Sequence, residues 1–278
     1  MKVIRHEWFN VSRSKSWTLF PLGDIHLGNK ACDEALLRQV VQAIAADDQA
    51  LWVGLGDYAD FIQRSDPRFE VESLASWFKV ADLGDIAAAQ RDRFLDIMEP
   101  IAPKCLGLIE GNHERAIHKH YERDIYSELV SGIKERGGFA ATRDLAFGTS
   151  GWMLLNFYRS EKRSAATLVK VWLHHGFVGG KLAGAKALNM QRVLWTHDCD
   201  LAIMGHSHNS NVQPEAVERV RGKRAIWEPR KGCFSGSFMD KQALYAEQKG
   251  YFPMATMQPV ITLRPGARHV RDRIKITL

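Results

Sequence analysis

Five short polar strings follow five strand-like apolar runs along this chain of 278 residues. Each string stands where a run gives way to a loop. Each contains aspartate, asparagine or histidine, with glycine beside or near it. This arrangement constrains the fold because it requires several strands to end in polar loops. The strings are Asp24-Ile25-His26, Gly56-Asp57-Tyr58-Ala59-Asp60, Gly111-Asn112-His113-Glu114, His174-His175-Gly176 and Gly205-His206-Ser207-His208.

The first hundred residues alternate between strand and helix patterns. Trp17–Gly23 and Ala50–Leu55 are apolar runs typical of buried strands. Between them, Asp33 precedes apolar residues at helical spacing and is expected to cap a helix. Short β-α-β units predict an α/β fold with a largely parallel sheet. The apolar positions of the predicted helix are Leu36, Leu37, Val40, Val41 and Ile44.

A helical insertion is predicted over residues 61–103. Its expected helices are Glu70–Val80 and Asp85–Glu99, and two prolines close it. Beyond the insertion, Lys104–Ile109 is predicted to be a strand and Tyr126–Arg136 a helix that ends at glycine.

The second half of the chain is richer in strands. Trp152–Tyr158 and Thr167–His174 predict a hairpin, and Ala185–Thr196 predicts a helix. No internal repeat or linker divides the sequence, so residues 1–278 are interpreted as a single domain. The remaining predicted strands are Asp200–Met204, Gly232–Phe238, Val260–Leu263 and His269–Ile276.

Composition favours a globular protein in a reducing compartment. Hydrophobic residues make up 45% and charged residues 25% of the chain, as in ordinary globular domains. No apolar run approaches the ~20 residues of a membrane span, and Met1–Phe20 lacks a signal-peptide core. A cytoplasmic protein is therefore expected. The four cysteines form no C-x-x-C pair and are interpreted as free thiols.

Positive charge is concentrated at the C-terminal end of the chain. Residues 219–278 contain 13 Lys and Arg against 4 Asp and Glu, a balance of +9, within a net charge of +6 for the whole chain. This basic, strand-rich part favours an anionic partner such as DNA or RNA. Arg271, Arg273 and Lys275 would share one face of the predicted last strand. Such a strip could bind phosphates or simply block aggregation at a sheet edge, and both interpretations stay open.

The five strings together offer the ligands of a site for two metal ions. Asp24 and His26 are two residues apart, so both can reach one ion at the end of a strand. Asp57 ends the neighbouring strand, and its carboxylate can bridge two ions. Asn112 adds a neutral oxygen. Imidazoles come from His175, His206 and His208.

The set D-x-H, G-D-x-x-D, G-N-H-E, H-G and G-H-x-H resembles the signature of the calcineurin-like metallophosphoesterases. The resemblance covers residues 18–210, and Cys233–Ser237 is similar to a later strand of that family. It implies a four-layer α/β/β/α sandwich with metals at the strand ends. The stretch from His174 to His208 also resembles members of phage and prophage type.

The resemblance implies separate roles for the residues of the site. One divalent ion would bind Asp24, His26, Asp57 and His208, and the other Asp57, Asn112, His175 and His206. Mn is the expected metal, with Fe, Zn and Co as alternatives. A metal-bound hydroxide would attack phosphorus in line, and His113, oriented by Asp60, would protonate the leaving group. His175 is preferred to His174 because it directly precedes glycine.

The strings predict a phosphoester substrate, but they do not distinguish a monoester from a diester. Phe61 follows G-D-x-x-D where the related protein phosphatases have an arginine, which disfavours a protein phosphatase but leaves phosphodiesters and phosphomonoesters both possible. The basic C-terminal part favours a phosphodiesterase or nuclease, with a phosphomonoesterase as the alternative. A non-catalytic interaction protein is disfavoured because all the ligands and the acid histidine are present. The insertion could cap the site or form a dimer surface. Lys181, Lys186 and Arg192 are predicted contacts for the substrate phosphate.

Overall fold

The computed structural model describes residues 1–163, 166–177, 183–240 and 258–278. The apolar runs of the sequence form strands at nearly the predicted positions. In chain order the strands are β1 (Lys2–Trp8), β2 (Trp17–Leu22), β3 (Ala50–Gly54), β4 (Cys105–Ile109), β5 (Ala146–Gly148), β6 (Ser150–Phe157), β7 (Thr167–His174), β8 (Leu201–Met204), β9 (Ser210–Arg221), β10 (Arg224–Ser235), β11 (Val260–Leu263) and β12 (Ile274–Thr277).

Three of the α-helices begin where an aspartate side chain accepts a hydrogen bond from a free backbone N–H group. Asp33 accepts from the N–H of Leu36 at 2.8 Å, as predicted for the first helix. Asp85 and Asp124 cap two later helices in the same way. The helix that follows Gly111 was not predicted from the sequence. The helices are α1 (Glu34–Ala46), α2 (Ile86–Met98), α3 (Asn112–Tyr121), α4 (Ile125–Arg136) and α5 (Ala183–Thr196).

The strands form two six-stranded mixed sheets. Sheet I has the order β12-β11-β2-β3-β4-β5, and its strands β2 to β5 run parallel. Sheet II has the order β1-β6-β7-β8-β10-β9. It combines parallel pairs with the predicted β6–β7 hairpin and the long β9–β10 hairpin.

The two sheets pack face to face with helices on their outer sides. Between the sheets, Leu19 and Val53 of sheet I share one buried cluster with Met153 and Val171 of sheet II. The outer side of sheet I packs against α1, α2 and α4, and the outer side of sheet II packs Trp172 against α5. These layers confirm the predicted α/β/β/α sandwich.

The predicted helix Glu70–Val80 is wrong. The structure has only a 3₁₀ turn at Val71–Ser73 in this part of the insertion. The neighbouring backbone groups are paired elsewhere: Lys30 N–H donates to Ser73 O at 2.7 Å, and Ala75 N–H donates to Gly28 O at 3.0 Å. These tertiary hydrogen bonds replace the helical ones. The second predicted helix of the insertion is confirmed as α2.

The predicted strand His269–Ile276 is wrong in its first half. Val270–Asp272 forms a 3₁₀ turn, and β12 begins only at Ile274. Arg271 and Arg273 therefore lie outside the strand, and the strip of alternate charges with Lys275 does not form. Two hydrogen bonds hold the turn: Arg273 N–H donates to Val270 O, and Arg264 N–H donates to Arg273 O.

Within the described residues, no helix has the length and apolar character needed to cross a membrane. All four cysteines are free thiols, as predicted. Three of them, Cys105, Cys199 and Cys233, are buried.

Candidate metal centre

The fold brings the five strings together at one end of the two sheets. Asp24, Asp57 and Asn112 follow the parallel strands β2, β3 and β4 of sheet I. His175 and His206 follow β7 and β8 of sheet II. Because parallel strands end at the same edge, loops that are far apart in sequence become neighbours there.

The first ligand group consists of Asp24, His26 and His208. The Nε2 atoms of the two histidines are 3.2 Å apart. His208 Nε2 also lies 3.6 Å from Asp24 Oδ1. The three residues each present one ligand atom, all within 4.8 Å of one another, a spacing that a single divalent ion can span.

The second ligand group is centred on His175. Its Nε2 lies 2.9 Å from Asn112 Oδ1 and 3.3 Å from Asp57 Oδ2. His206 joins Asp57 and His175 in a cluster of the same size as the first. This group has the composition predicted for the second ion.

Asp57 lies between the two groups. Its Oδ2 is 3.3 Å from His175 Nε2 and 3.9 Å from His26 Nε2. Its other oxygen, Oδ1, accepts the main-chain N–H of His113 at 3.0 Å. The side chain is 1% exposed. Asp57 therefore lies within reach of both ligand groups, as the sequence predicted for a bridging residue.

Hydrogen bonds from Nδ1 orient the rings of two predicted ligand histidines. His175 Nδ1–H donates to Leu55 O at 2.6 Å. His26 Nδ1–H donates to Asp60 Oδ1 at 3.3 Å. Because each ring is held by its Nδ1–H, its Nε2 atom is directed into the site, as in metal-ligating histidines.

Five of the predicted ligands have left-handed backbone conformations. This region is uncommon for residues other than glycine, and such strain clusters at functional sites. Asn112 and His175 are not in this group. The φ angles are 50° at Asp24, 51° at His26, 53° at Asp57, 62° at His206 and 52° at His208.

Gly56 allows the two halves of the site to approach closely. Its φ is 88°, and a Cβ atom there would lie 2.5 Å from the backbone of Gly111 and 2.7 Å from His175 Nδ1. Only glycine fits between these loops without displacing a predicted ligand.

Glu114 connects two of the strings, a role that the sequence did not predict. The side chain is fully buried. Oε2 accepts the N–H groups of Asp57 at 3.0 Å and Gly111 at 2.8 Å, and Oε1 accepts that of Tyr58 at 2.9 Å. One carboxylate thus fixes the loop that presents Asp57 to the loop that presents Asn112. The only sign of this role in the sequence is the position of Glu114 at the end of the string G-N-H-E.

Two serines, one at the end of β10 and one just beyond it, support the first ligand group. Ser237 Oγ–H donates to Asp24 O at 2.9 Å, and Ser237 Oγ is 3.4 Å from His208 Nδ1. Ser235 Oγ–H donates to Asp24 Oδ2 at 3.3 Å. The resemblance over Cys233–Ser237 had indicated this strand, but not these contacts.

Buried acids and imidazoles shift one another's pKa values. Burial raises the pKa of Asp24 to about 7. Burial alone would lower the pKa of His26, but the hydrogen bond to Asp60 and the nearby carboxylates raise it to about 9. Burial acts in the same way on His175, whose pKa the charge of Asp57 raises to about 10. Without metal these two imidazoles are protonated, and metal binding would release their protons.

The residues present fit two divalent ions. His206 Nδ1 is buried and has no hydrogen-bond partner among the described residues. A buried orphan nitrogen is costly, and an ion held by Asp57 and His175 would satisfy it. In the first group, two Nε2 atoms face each other beside a carboxylate. Aspartate, asparagine and histidine are suitable ligands for Mn, Fe, Zn and Co.

His113 lies directly beside the first group. Its ring packs edge-on against that of His26, with centroids 4.7 Å apart. Its Nδ1–H donates to the main-chain carbonyl of Asp60, while the Asp60 carboxylate oxygen Oδ1 is 3.8 Å away. Asp60 is thus next to His113 as expected, but its carboxylate is nearer to His26, at 3.3 Å.

The predicted phosphate contacts have different outcomes. Lys181 lies outside the described residues. Lys186 Nζ donates to the carbonyl of Ser207 at 3.1 Å, so it holds the loop between two ligand histidines. Arg192 is exposed on α5. Of Lys186 and Arg192, only Lys186 contacts a loop that carries predicted metal ligands.

His174 takes no part in either ligand group. Its Nδ1 accepts the N–H of Gly176 at 2.6 Å, and its ring stacks on Trp172 at a centroid distance of 5.4 Å. Burial and the charge of His175 lower its pKa to about 4. These contacts agree with the preference for His175 as the ligand.

No family model matches this chain, and neither does any curated protein. Similar solved structures include a predicted phosphoesterase from Streptococcus pneumoniae, at 10% identity over 95% of this chain and 98% of the other, with a TM-score of 0.35. A metallophosphoesterase from Sphaerobacter thermophilus is 10% identical over 94% and 87%, with a TM-score of 0.39. A protein serine/threonine phosphatase from Saccharomyces cerevisiae is 13% identical over 100% and 82%, with a TM-score of 0.38.

At such low overall similarity, the assignment of the fold rests on this chain's own four layers and on its ligand loops. The four layers are those that the resemblance implied, and the loops bring together a candidate His/Asp metal cluster.

Proposed function

We propose that this protein is a dinuclear metal-dependent phosphoesterase that acts on phosphodiesters, with nucleic acid as the substrate class. The observation that carries the proposal is the position of Asp57. Its carboxylate lies between two ligand groups and also binds the backbone of His113, a proton carrier. A site of this kind is suited to displacement at phosphorus.

One ion would be held by Asp24, His26, Asp57 and His208, and the other by Asp57, Asn112, His175 and His206. When bound, the ions supply Lewis-acid polarisation of the phosphoryl oxygens and make water a better nucleophile at neutral pH.

His113 would donate the proton that the leaving oxygen needs. Its Nδ1–H is held by the Asp60 carbonyl, so Nε2 is the atom that can carry and release a proton. Its backbone is fixed by Asp57. This hydrogen bond would hold the proposed acid and the proposed bridging carboxylate in a fixed arrangement.

A diester substrate is supported by the residue after G-D-x-x-D. Phe61 is 3% exposed, and its N–H donates to Gln90 Oε1 at 2.9 Å. A buried phenyl ring at this position offers no charge to a terminal phosphate dianion. Exposed cations of the C-terminal part would attract the phosphates of a nucleic acid, although Lys223 and Arg224, at the β9–β10 turn, lie at the end of sheet II opposite the metal loops. The exposed cations include Lys223, Arg224, Arg268, Arg271 and Lys275.

The proposal is tested with a substrate panel in Mn²⁺. Bis(p-nitrophenyl) phosphate is expected to turn over faster than p-nitrophenyl phosphate, and single- or double-stranded DNA or RNA is expected to be cleaved with strong salt dependence. Preference for the monoester would favour a phosphomonoesterase. Cleavage of none of these compounds by protein with both ions bound would contradict the proposal.

His113→Ala tests the role of the acid. The variant is expected to keep its metal and to lose ~10²–10⁴-fold in turnover. His118→Ala is the matched control, because His118 is exposed on the same helix. Equal turnover by wild type and metal-loaded His113→Ala would exclude this role.

A further inference from the structure

Asp60 contacts His26 through its carboxylate and His113 through its main-chain carbonyl. The Asp60 side chain is about one-tenth exposed. Its Oδ1 accepts Nδ1–H of His26, whose Nε2 lies 3.2 Å from His208 Nε2 in the first ligand group. The carboxylate therefore supports a predicted metal ligand from behind.

The second oxygen of Asp60 is held by Asn29. Asn29 Nδ2–H donates to Asp60 Oδ2 at 3.0 Å. Asn29 is fixed in turn, since its N–H donates to His26 O at 3.0 Å and its Oδ1 accepts the N–H of Ala31 at 2.9 Å. An amide, a carboxylate and an imidazole thus form one chain that ends at the metal site.

His113 uses the backbone of Asp60 instead. Its Nδ1–H donates to the main-chain carbonyl, and it is 3.8 Å from Oδ1. A change in the Asp60 side chain leaves this carbonyl in place. The acid histidine and the ligand histidine are therefore oriented by separate atoms of one residue.

We propose that Asn29 is a positioning residue that acts through the Asp60 carboxylate to orient His26 for metal binding, while the Asp60 main-chain carbonyl orients His113. This role of Asn29 depends on the proposed function only because it requires the site to bind metal ions. A carboxylate on the far nitrogen of a ligand imidazole fixes the tautomer and raises the basicity of the ligand nitrogen. Asn29 keeps that carboxylate in the required rotamer.

The test is the Asn29→Asp variant. Aspartate keeps the acceptor for Ala31 N–H but replaces the donor to Asp60 with a second carboxylate. Titration calorimetry with Mn²⁺ alone is expected to show one of two ions bound about tenfold or more weakly. Asn10→Asp is the matched control, because Asn10 Nδ2 also donates to a carboxylate, that of Glu161, at the surface. It is expected to bind both ions like wild type.

A second comparison separates positioning from general stability and from catalysis. Excess Mn²⁺ is expected to restore turnover of bis(p-nitrophenyl) phosphate in Asn29→Asp but not in His113→Ala. If Asn29→Asp does not fold by circular dichroism, Asn29→Ala takes its place.

Wild-type Mn²⁺ affinity at both sites in the folded Asn29 variant overturns the inference. Because binding is measured without substrate, wild-type protein that binds two ions and cleaves nothing would refute the proposed function alone.

Discussion

Glu114 Oε2 accepts the main-chain N–H of Asp57 at 3.0 Å, although 57 residues separate the two in sequence. The same carboxylate also accepts two further N–H groups, from Gly111 and Tyr58. The loop that carries the predicted bridging residue Asp57 is thus fixed by a buried acid that does not belong to either ligand group.

Glu114→Gln is expected to destabilise the fold. The amide nitrogen cannot accept a hydrogen bond, so at least one buried N–H loses its partner, at a cost of about 1–3 kcal/mol. Urea denaturation measures the free energy of unfolding. Glu110→Gln is the control, because Glu110 is a half-buried neighbour on the same loop. The prediction fails if both variants lose the same amount.

Asp57→Asn is expected to weaken both metal sites. Asparagine retains an acceptor for His113 N–H but lacks the second anionic oxygen that faces His175 and His26. Elemental analysis after dialysis is expected to show fewer than two ions per chain. Two retained ions would show that Asp57 is not the bridge.

Removal of metal is expected to lower the thermal stability of the protein. Without ions, Asp24 bears the cost of its burial, and His206 Nδ1 has no partner among the described residues. A ligand that binds only the folded state stabilises it by about 2.7 kcal/mol at a hundredfold excess over its Kd. Differential scanning fluorimetry in EDTA and in Mn²⁺ measures the shift in Tm. An unchanged Tm would contradict metal binding by the folded chain.

His6 is expected to make the fold less stable in mild acid. Burial, with a contribution from the charge of Arg143, lowers its pKa to about 4 from an ordinary value of 6.5. The unfolded chain therefore binds a proton more readily, and stability falls as pH drops from 6.5 towards 4. Between pH 7 and pH 5 the loss is roughly 2 kcal/mol.

His6→Phe serves as the comparison for this pH dependence. Denaturation at the two pH values is expected to give a smaller difference in the free energy of unfolding than in wild type. Parallel pH profiles for the two proteins would refute the assignment to His6.

The convergence of the five strings could be predicted because strand and loop patterns are local. An apolar run followed by Gly56-Asp57 indicates a strand end, and parallel strands bring such ends together. The acceptors that bind the Nδ1–H groups of His26 and His175 could not be predicted from local patterns. Leu55 O serves His175 and Asp60 Oδ1 serves His26, and both contacts depend on loop paths of the whole fold.

The two wrong elements have a common cause. Residues 71–75 and 270–273 carry no strong local signal, so tertiary hydrogen bonds to Gly28, Lys30 and Arg264 decide their conformation. By contrast, α2 has its own acidic cap, and its prediction is confirmed. Local chemistry was sufficient for α2 because the chain supplies its own start signal there.

The left-handed backbone at Asp24, His26, Asp57, His206 and His208 limits which residues these positions accept, whatever the metal requires. Asparagine, aspartate, histidine and glycine tolerate this conformation, whereas valine, isoleucine and threonine do not. A lineage that lost its metal would therefore still retain this narrow set of residues under selection for folding alone. Polar residues at these positions are thus not by themselves a sign that a related chain remains catalytic.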